Sequence, residues 1–152
     1  MIKALLIGLL LAVTVGLLIG CGVNEDEEAY NYISNDELVE RLDNGDIDNG
    51  SMIMVSSQTE EEWESGHLPD AIPTHARPLE TDEDYAKLDD ALALIEDGDM
   101  DVILVCPGGG SGATRPFDYF EENGVDTDRM YILSGGQGQM NEDHPDYVVF
   151  ND

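Results

Sequence analysis

Apolar residues fall into three rhythms along the chain. From Ala4 to Ile19 they run nearly unbroken, with no charge among them. Further on come short dense runs, Ser51–Val55, Val102–Val105 and Met130–Leu133, each bounded by turn residues. Such runs predict buried strands, and Val102–Val105 one covered on both faces. Between them the apolar positions recur at spacings of three and four. Leu38, Val39 and Leu42 follow the capping-box pair Ser34 and Glu37, and Tyr85, Leu88, Leu92 and Ile95 stripe a helix predicted over Thr81 to Asp97. Thr59 and Glu62 open a short acidic helix to Glu64, with Gly66 just past its end.

The remaining segments complete the order. Tyr30 to Ile33 reads as a short edge strand, and Gly66 to Pro73 as a turn leading into a brief strand. Ala113 to Asn123 reads as a helix, Ser134 to Gly138 as a glycine-rich close, and Tyr147 to Phe150 as a last strand or a packed end. Strands alternating with helices predict an α/β domain with a mainly parallel central sheet, flanked by helices on both faces. The chain has 152 residues, and neither an internal repeat nor a second domain is visible in it.

The continuous apolar segment is a different material. Lys3, just before it, is the only charge in residues 1–20, and the run stops at Leu18-Ile19-Gly20-Cys21. A basic start, an apolar middle and small residues at the end are the layout of a secretory signal. The stop resembles the lipobox of prokaryotic lipoproteins, which implies cleavage before Cys21 and lipidation of its sulfur. The alternative is an uncleaved membrane anchor, since the run is long enough to span a bilayer. The expected organisation is a signal over 1–20, an acidic linker over 21–29 and one domain over 30–152. Both readings tether that domain to the membrane on its extracytoplasmic face.

Charge narrows the partners. With 34 acidic and 6 basic residues the net charge is −28, and loss of Lys3 with the signal makes it more negative still. Such a surface repels nucleic acid and anionic headgroups. Acids pervade most of the predicted turns and helices, which resembles proteins of salt-loving organisms, where salt screens the self-repulsion. There are two cysteines; with Cys21 lipidated, Cys106 has no intrachain partner. An unpaired thiol in an exported protein is either well buried or chemically used.

Cys106 stands where use is expected. It ends the central strand and is followed by Pro107, Gly108, Gly109, Gly110, Ser111, Gly112 and Ala113, then by a helix. Backbone N–H groups converge at such a turn, and with the helix dipole they stabilise a thiolate or an anion beside it. Glycines suit a turn that needs positive φ, and they let a ligand approach the backbone. A buried structural cysteine before an ordinary strand–helix turn is the other reading. His67, His75 and His144 are too scattered to suggest a metal site, and Trp63 is expected to pack the short helix on the sheet.

Three blocks together resemble a single rhodanese domain over about residues 30–140. They are Ile53 to Ile72, with its Gly66-His-Leu-Pro-Asp-Ala-Ile72; Val102 to Thr114, with Cys106 at the family's catalytic position; and Tyr131-Ile-Leu-Ser-Gly-Gly136. The resemblance implies sulfur transfer through a cysteine persulfide, from thiosulfate or a similar donor to a nucleophile such as cyanide or a thiol, with no metal or organic cofactor. Three departures stand out. Ser56-Ser57-Gln58 replaces the family's Asp-Val-Arg-type triplet, the loop has no cation before Arg115, and Met140 stands for a frequent Trp. The related phosphatases use Cys-x5-Arg; here the sixth residue after Cys106 is Gly112, which speaks against a phosphate clamp. Arg115 and His67 are candidate auxiliaries to Cys106. The alternative function is a non-catalytic module that binds a protein partner or a small anion.

Overall fold

The computed structural model describes residues 29–151. Five strands form one sheet in which every pairing is parallel. They are β1 (Tyr32–Ile33), β2 (Met52–Ser56), β3 (Ala71–Pro73), β4 (Asp101–Val105) and β5 (Met130–Leu133), in the order β1-β5-β4-β2-β3. β4 lies in the middle, with Leu104 opposite Val55 on one side and Ile132 on the other. The helices are α1 (Asn35–Asp43), α2 (Glu60–Ser65), α3 (Asp82–Ala86), α4 (Asp89–Ile95), α5 (Ser111–Glu122) and α6 (Gly136–Asp143).

Alternation along β4 builds two cores. Val102 and Leu104 face one layer with Leu88, Ile95, Phe117 and Phe120, from the α3–α5 side. Ile103 and Val105 face the other with Leu38 of α1, Trp63 of α2 and Met140 of α6. These four β4 residues, Val102 to Val105, are all buried, so the dense run reflects a strand with no wet face. Both faces of the sheet carry helices, as expected, and the sheet is parallel throughout.

Capping set the helix starts. Ser34 and Glu37, and Thr59 and Glu62, each exchange hydrogen bonds between side chain and backbone at the heads of α1 and α2. Thr81 and Asp84 do the same for α3. Three boundaries differ from the sequence reading. The helix expected over Thr81 to Asp97 is two, because the N–H groups of Lys87 and Leu88 bond back three residues, to Asp84 and Tyr85. That tighter turn redirects the axis while keeping Leu88 and Ile95 in the core. The helix expected at Ala113 begins at Ser111, so Ser111 and Gly112 are its first turn. Gly136, expected within a glycine-rich close, opens α6 instead.

The tail packs without forming a named strand. Its one bridge is antiparallel, between Val149 and His67. Among the described residues no helix is long and apolar enough to cross a membrane. The signal, Cys21 and nearly all of the acidic linker lie outside the described residues.

Candidate active site

Cys106 leaves the C-terminal end of β4, where β2 and β5 flank it, and the chain must then turn sharply into α5. Gly109 makes that turn at φ +72°, a left-handed conformation in which a side chain is strained. The turn brings the Gly109 N–H to 3.1 Å from Cys106 Sγ, to which it donates. α5 begins at once, with Gly110 at its N-cap position and no side chain capping it. The N–H groups of Gly108, Gly110, Ser111 and Gly112 have no acceptor among the described residues. The Gly109 N–H dipole thus points at the thiol, and the first turn of α5, where a Gly112 Cβ would lie 3.0 Å from Cys106 Cβ, brings the positive end of that helix beside it.

The floor of this cup is backbone. The N–H groups of Gln137 and Gly138 donate to the carbonyls of Cys106 and Pro107 at 2.8 and 2.9 Å. Gly136 packs so closely beneath the loop that a Cβ there would lie 2.2 Å from the Cys106 carbonyl oxygen. This is the physical use of Gly135-Gly136 after β5. Above, a Cβ at Gly108 or Gly110 would meet nothing within 4 Å, so the outer side of the loop is open. Cys106 itself is 2% exposed; its sulfur sits at the bottom of the cup.

The triplet after β2 supplies a wall. Ser56 Oγ donates to Gln58 Oε1 at 2.9 Å, and Gln58 Nε2 donates to the carbonyls of Glu62 and Gly66. This neutral pair is buried and ties β2 to the carbonyls of the last turn and C-cap of α2. Ser57 reaches the active loop, donating from Oγ to the Gly112 carbonyl at 2.5 Å. Its own carbonyl accepts the Arg77 N–H at 3.1 Å.

The candidate auxiliaries lie elsewhere. Arg115 donates from Nη1 to the carbonyls of Pro78 and Leu79 at 2.8 and 3.2 Å; it fastens the segment after β3 and none of its hydrogen bonds is to the loop. His67 stacks on Trp63 at 3.9 Å, with Nδ1 on the Trp63 carbonyl at 2.8 Å, and its backbone pairs with Val149. It holds a turn. Trp63 joins the second core from α2. His144 meets Asp36 at 2.8 Å, and among the described residues no group of three His, Cys, Asp or Glu is placed to hold a metal.

Sequence reasoning missed Arg77. A Cβ at Gly112 would lie 3.0 Å from Cys106 Cβ and 3.1 Å from Arg77 Cδ, so the arginine stem passes over the first turn of α5 beside the thiol. Arg77 and Cys106 lie in different segments of the chain, before α3 and after β4, and no local pattern marks the approach.

A parallel α/β domain with a lone cysteine in a glycine-rich cup at the end of its central strand is the class that fold and site define. The family model for the rhodanese-like domain matches residues 34–142, and the chain belongs to that family. No curated protein matches it. Among solved structures, an As-Sb reductase from Leishmania major is 21% identical, with 80% of this chain and 86% of that one covered at TM-score 0.61. A yeast protein tyrosine phosphatase of the rhodanese family is 17% identical, covering 81% and 94% at 0.60. A rhodanese-like domain protein from Staphylococcus aureus is 22% identical, covering 80% and 99% at 0.54. These likenesses establish the shared fold.

Proposed function

We propose that this rhodanese-like domain is a sulfurtransferase carrying sulfane sulfur as a persulfide on Cys106. The observation that carries the reading is the Gly109 N–H on Sγ at 3.1 Å, within a loop where the N–H groups of Gly108, Gly110, Ser111 and Gly112 have no acceptor among the described residues. Such donors stabilise negative charge on Sγ, and then on the outer sulfur of a persulfide. The thiol first loses its proton to solvent. The thiolate attacks the outer sulfur of the donor, forming Cys106–S–S⁻, while the donor's S–S bond breaks and its remainder leaves with the electron pair. A nucleophile then takes the outer sulfur and regenerates the thiolate.

Phosphatase and reductase activities, which belong to the names of two structural neighbours, are not carried over. A phosphate clamp needs a cation at the end of the loop, and Gly112 stands there. The competing reading is a non-catalytic module that binds a partner or a small anion on the same loop; the burial of Cys106 favours it. Intact mass after incubation with several sulfane donors separates the two. One added sulfur, absent in Cys106→Ser, is the expected result; no addition from any donor hands the site to the binding module.

The setting is proposed from the sequence. The domain, over residues 30–152, is tethered through a lipid on Cys21 to the outer face of the cell membrane and works in high salt. Its partners are a small sulfur donor and a thiol or other nucleophilic acceptor. Radiolabelled palmitate incorporated by the wild type and lost in Cys21→Ser supports the anchor; equal labelling of both removes it.

A further inference from the structure

The geometry points to Arg77 as the residue that binds the anionic group of the sulfur donor, held in reserve by Glu62 until the donor arrives. This rests on the reading of Cys106 as a sulfur carrier and names the class of donor: one whose leaving group is an anion, as in thiosulfate.

Cations are scarce in this chain, and four of the five described ones have structural duties. Arg41 bridges Asp46 and Asp101. Arg129 closes on the carbonyls of Ile95 and Met100. Arg115 fastens Pro78 and Leu79, and Lys87 reaches Asp84 and the His75 carbonyl. Arg77 is the one beside the thiol. Its Cδ and Nε stand 3.1 and 3.4 Å from where a Gly112 Cβ would be, and Cys106 Cβ is 3.0 Å from the same point. Arg77 Cδ and Cys106 Cβ are therefore at most about 6 Å apart, and glycine at 112 is what lets the stem pass.

The segment is fixed for this task. The Ser57 carbonyl takes the Arg77 N–H while the Ser57 hydroxyl holds the Gly112 carbonyl, so one residue ties Arg77 to the active loop. Arg115 pins the next two carbonyls. The guanidinium, in contrast, is lightly engaged. Among the described residues its only acceptor is Glu62 Oε1, reached from Nη1, which leaves most of its five N–H donors for a ligand. The two side chains are 32% and 33% exposed, and a pair that wet holds its members weakly. A dianion can displace Glu62 at small cost, and Glu62 keeps its Oε2 on the Thr59 N–H.

In the transfer step Arg77 binds the sulfite portion of thiosulfate while Cys106 attacks the outer sulfur. As the S–S bond breaks, sulfite leaves with the electron pair and its added charge falls beside the guanidinium. The cation missing from the loop is thus supplied from the connection after β3.

The test measures Cys106 alkylation by iodoacetate and by neutral iodoacetamide, on the full chain in fixed molar salt. Arg77→Met is expected to lower the iodoacetate-to-iodoacetamide rate ratio about tenfold, with Arg77→Lys restoring part of it, as befits loss of a charge-assisted contact. Glu62→Gln, which releases the guanidinium, is expected to raise the ratio. A purely structural Arg77 would change both rates together, so an unchanged ratio in Arg77→Met and Glu62→Gln overturns the inference. The readout needs no sulfur transfer and stands apart from the activity reading. If persulfide forms, Arg77→Met should raise KM for thiosulfate, a dianion, more than for the monoanion benzenethiosulfonate. Equal effects on the two donors would also overturn it.

Discussion

Replacing Gly136 by alanine should damage this protein more than any other single methyl added to a glycine of the site. The residue has φ +62°, and a side chain in that region costs about 1–2 kcal/mol. The methyl would stand 2.2 Å from the Cys106 carbonyl oxygen, 2.6 Å from Gly109 N and 2.8 Å from Gly108 N. All three are backbone atoms that cannot swing aside, so an overpacking cost of about 1–3 kcal/mol adds to the first. The loss is therefore about 2–5 kcal/mol against a total of about 5–15 for a domain. Two controls separate the causes. Gly45 has φ +77° with nothing within 4 Å, so Gly45→Ala should lose about 1–2 kcal/mol. Gly110 has φ −102° and open space, so Gly110→Ala should be near neutral. Urea unfolding in fixed molar salt measures all three, and with a slope of about 1–3 kcal/mol/M the Gly136→Ala midpoint should fall on the order of 1–2 M. A Gly136→Ala loss no greater than that of Gly45→Ala would refute the close contact between α6 and the loop.

Other outcomes follow from the same structure. The net charge of −28 opposes compactness until screened to about 3 Å at 1 M salt, so Tm should climb from dilute buffer to molar salt; a flat or falling Tm contradicts this. Glu37 is held below the usual carboxylate range by the Ser34 backbone N–H and hydroxyl, and Asp84 by the N–H groups of Glu80 and Thr81. Depressed folded values mean the contribution is complete above the unfolded value, near pH 4.3 for glutamate, and lost as pH falls through the folded one. Glu37→Gln should thus flatten the decline in urea midpoint between pH 5 and 3, and an unchanged slope discards the cap's role. Gly110→Arg, whose side chain would start in open space, should raise thiosulfate turnover chiefly through a lower KM; a fall in kcat with KM unmoved argues against a shortage of charge at the loop.

What the sequence could reveal was set by range. The heads of α1 and α2 were legible because Ser34 with Glu37, and Thr59 with Glu62, sit three residues apart on one turn. β4 was legible because Val102–Val105 is a short, β-branched-rich apolar run bounded by turn residues, the pattern of a strand between two layers. The break at Lys87–Leu88 carried no glycine or proline, since a tightened turn needs neither. α6 was hidden by its composition: Gly136, Gln137 and Gly138 read as a turn, and their helical purpose is clear only when the Gln137 and Gly138 N–H groups meet the Cys106 and Pro107 carbonyls. The neutral Ser56–Gln58 pair shows only in space how the missing charges of the triplet are replaced, by hydrogen bonds to the Glu62 and Gly66 carbonyls of α2 and its C-cap. Arg77 was invisible for the same reason, being placed by Ser57 and Arg115 from distant parts of the chain.

The floor and loop of the cup around Cys106 are held by uncharged groups: the Gly109 N–H on the sulfur, the Gly136 backbone below and the Ser57 hydroxyl at the side, with the Arg77–Glu62 pair only at its rim. None of the uncharged contacts has a counter-ion to gain or lose. Dilution should therefore swell the acidic exterior while the surroundings of the thiol keep their shape until the domain comes apart as a whole. The protein would then have two tolerances, a demanding shell and an indifferent centre, and inactivation in fresh water would begin from outside.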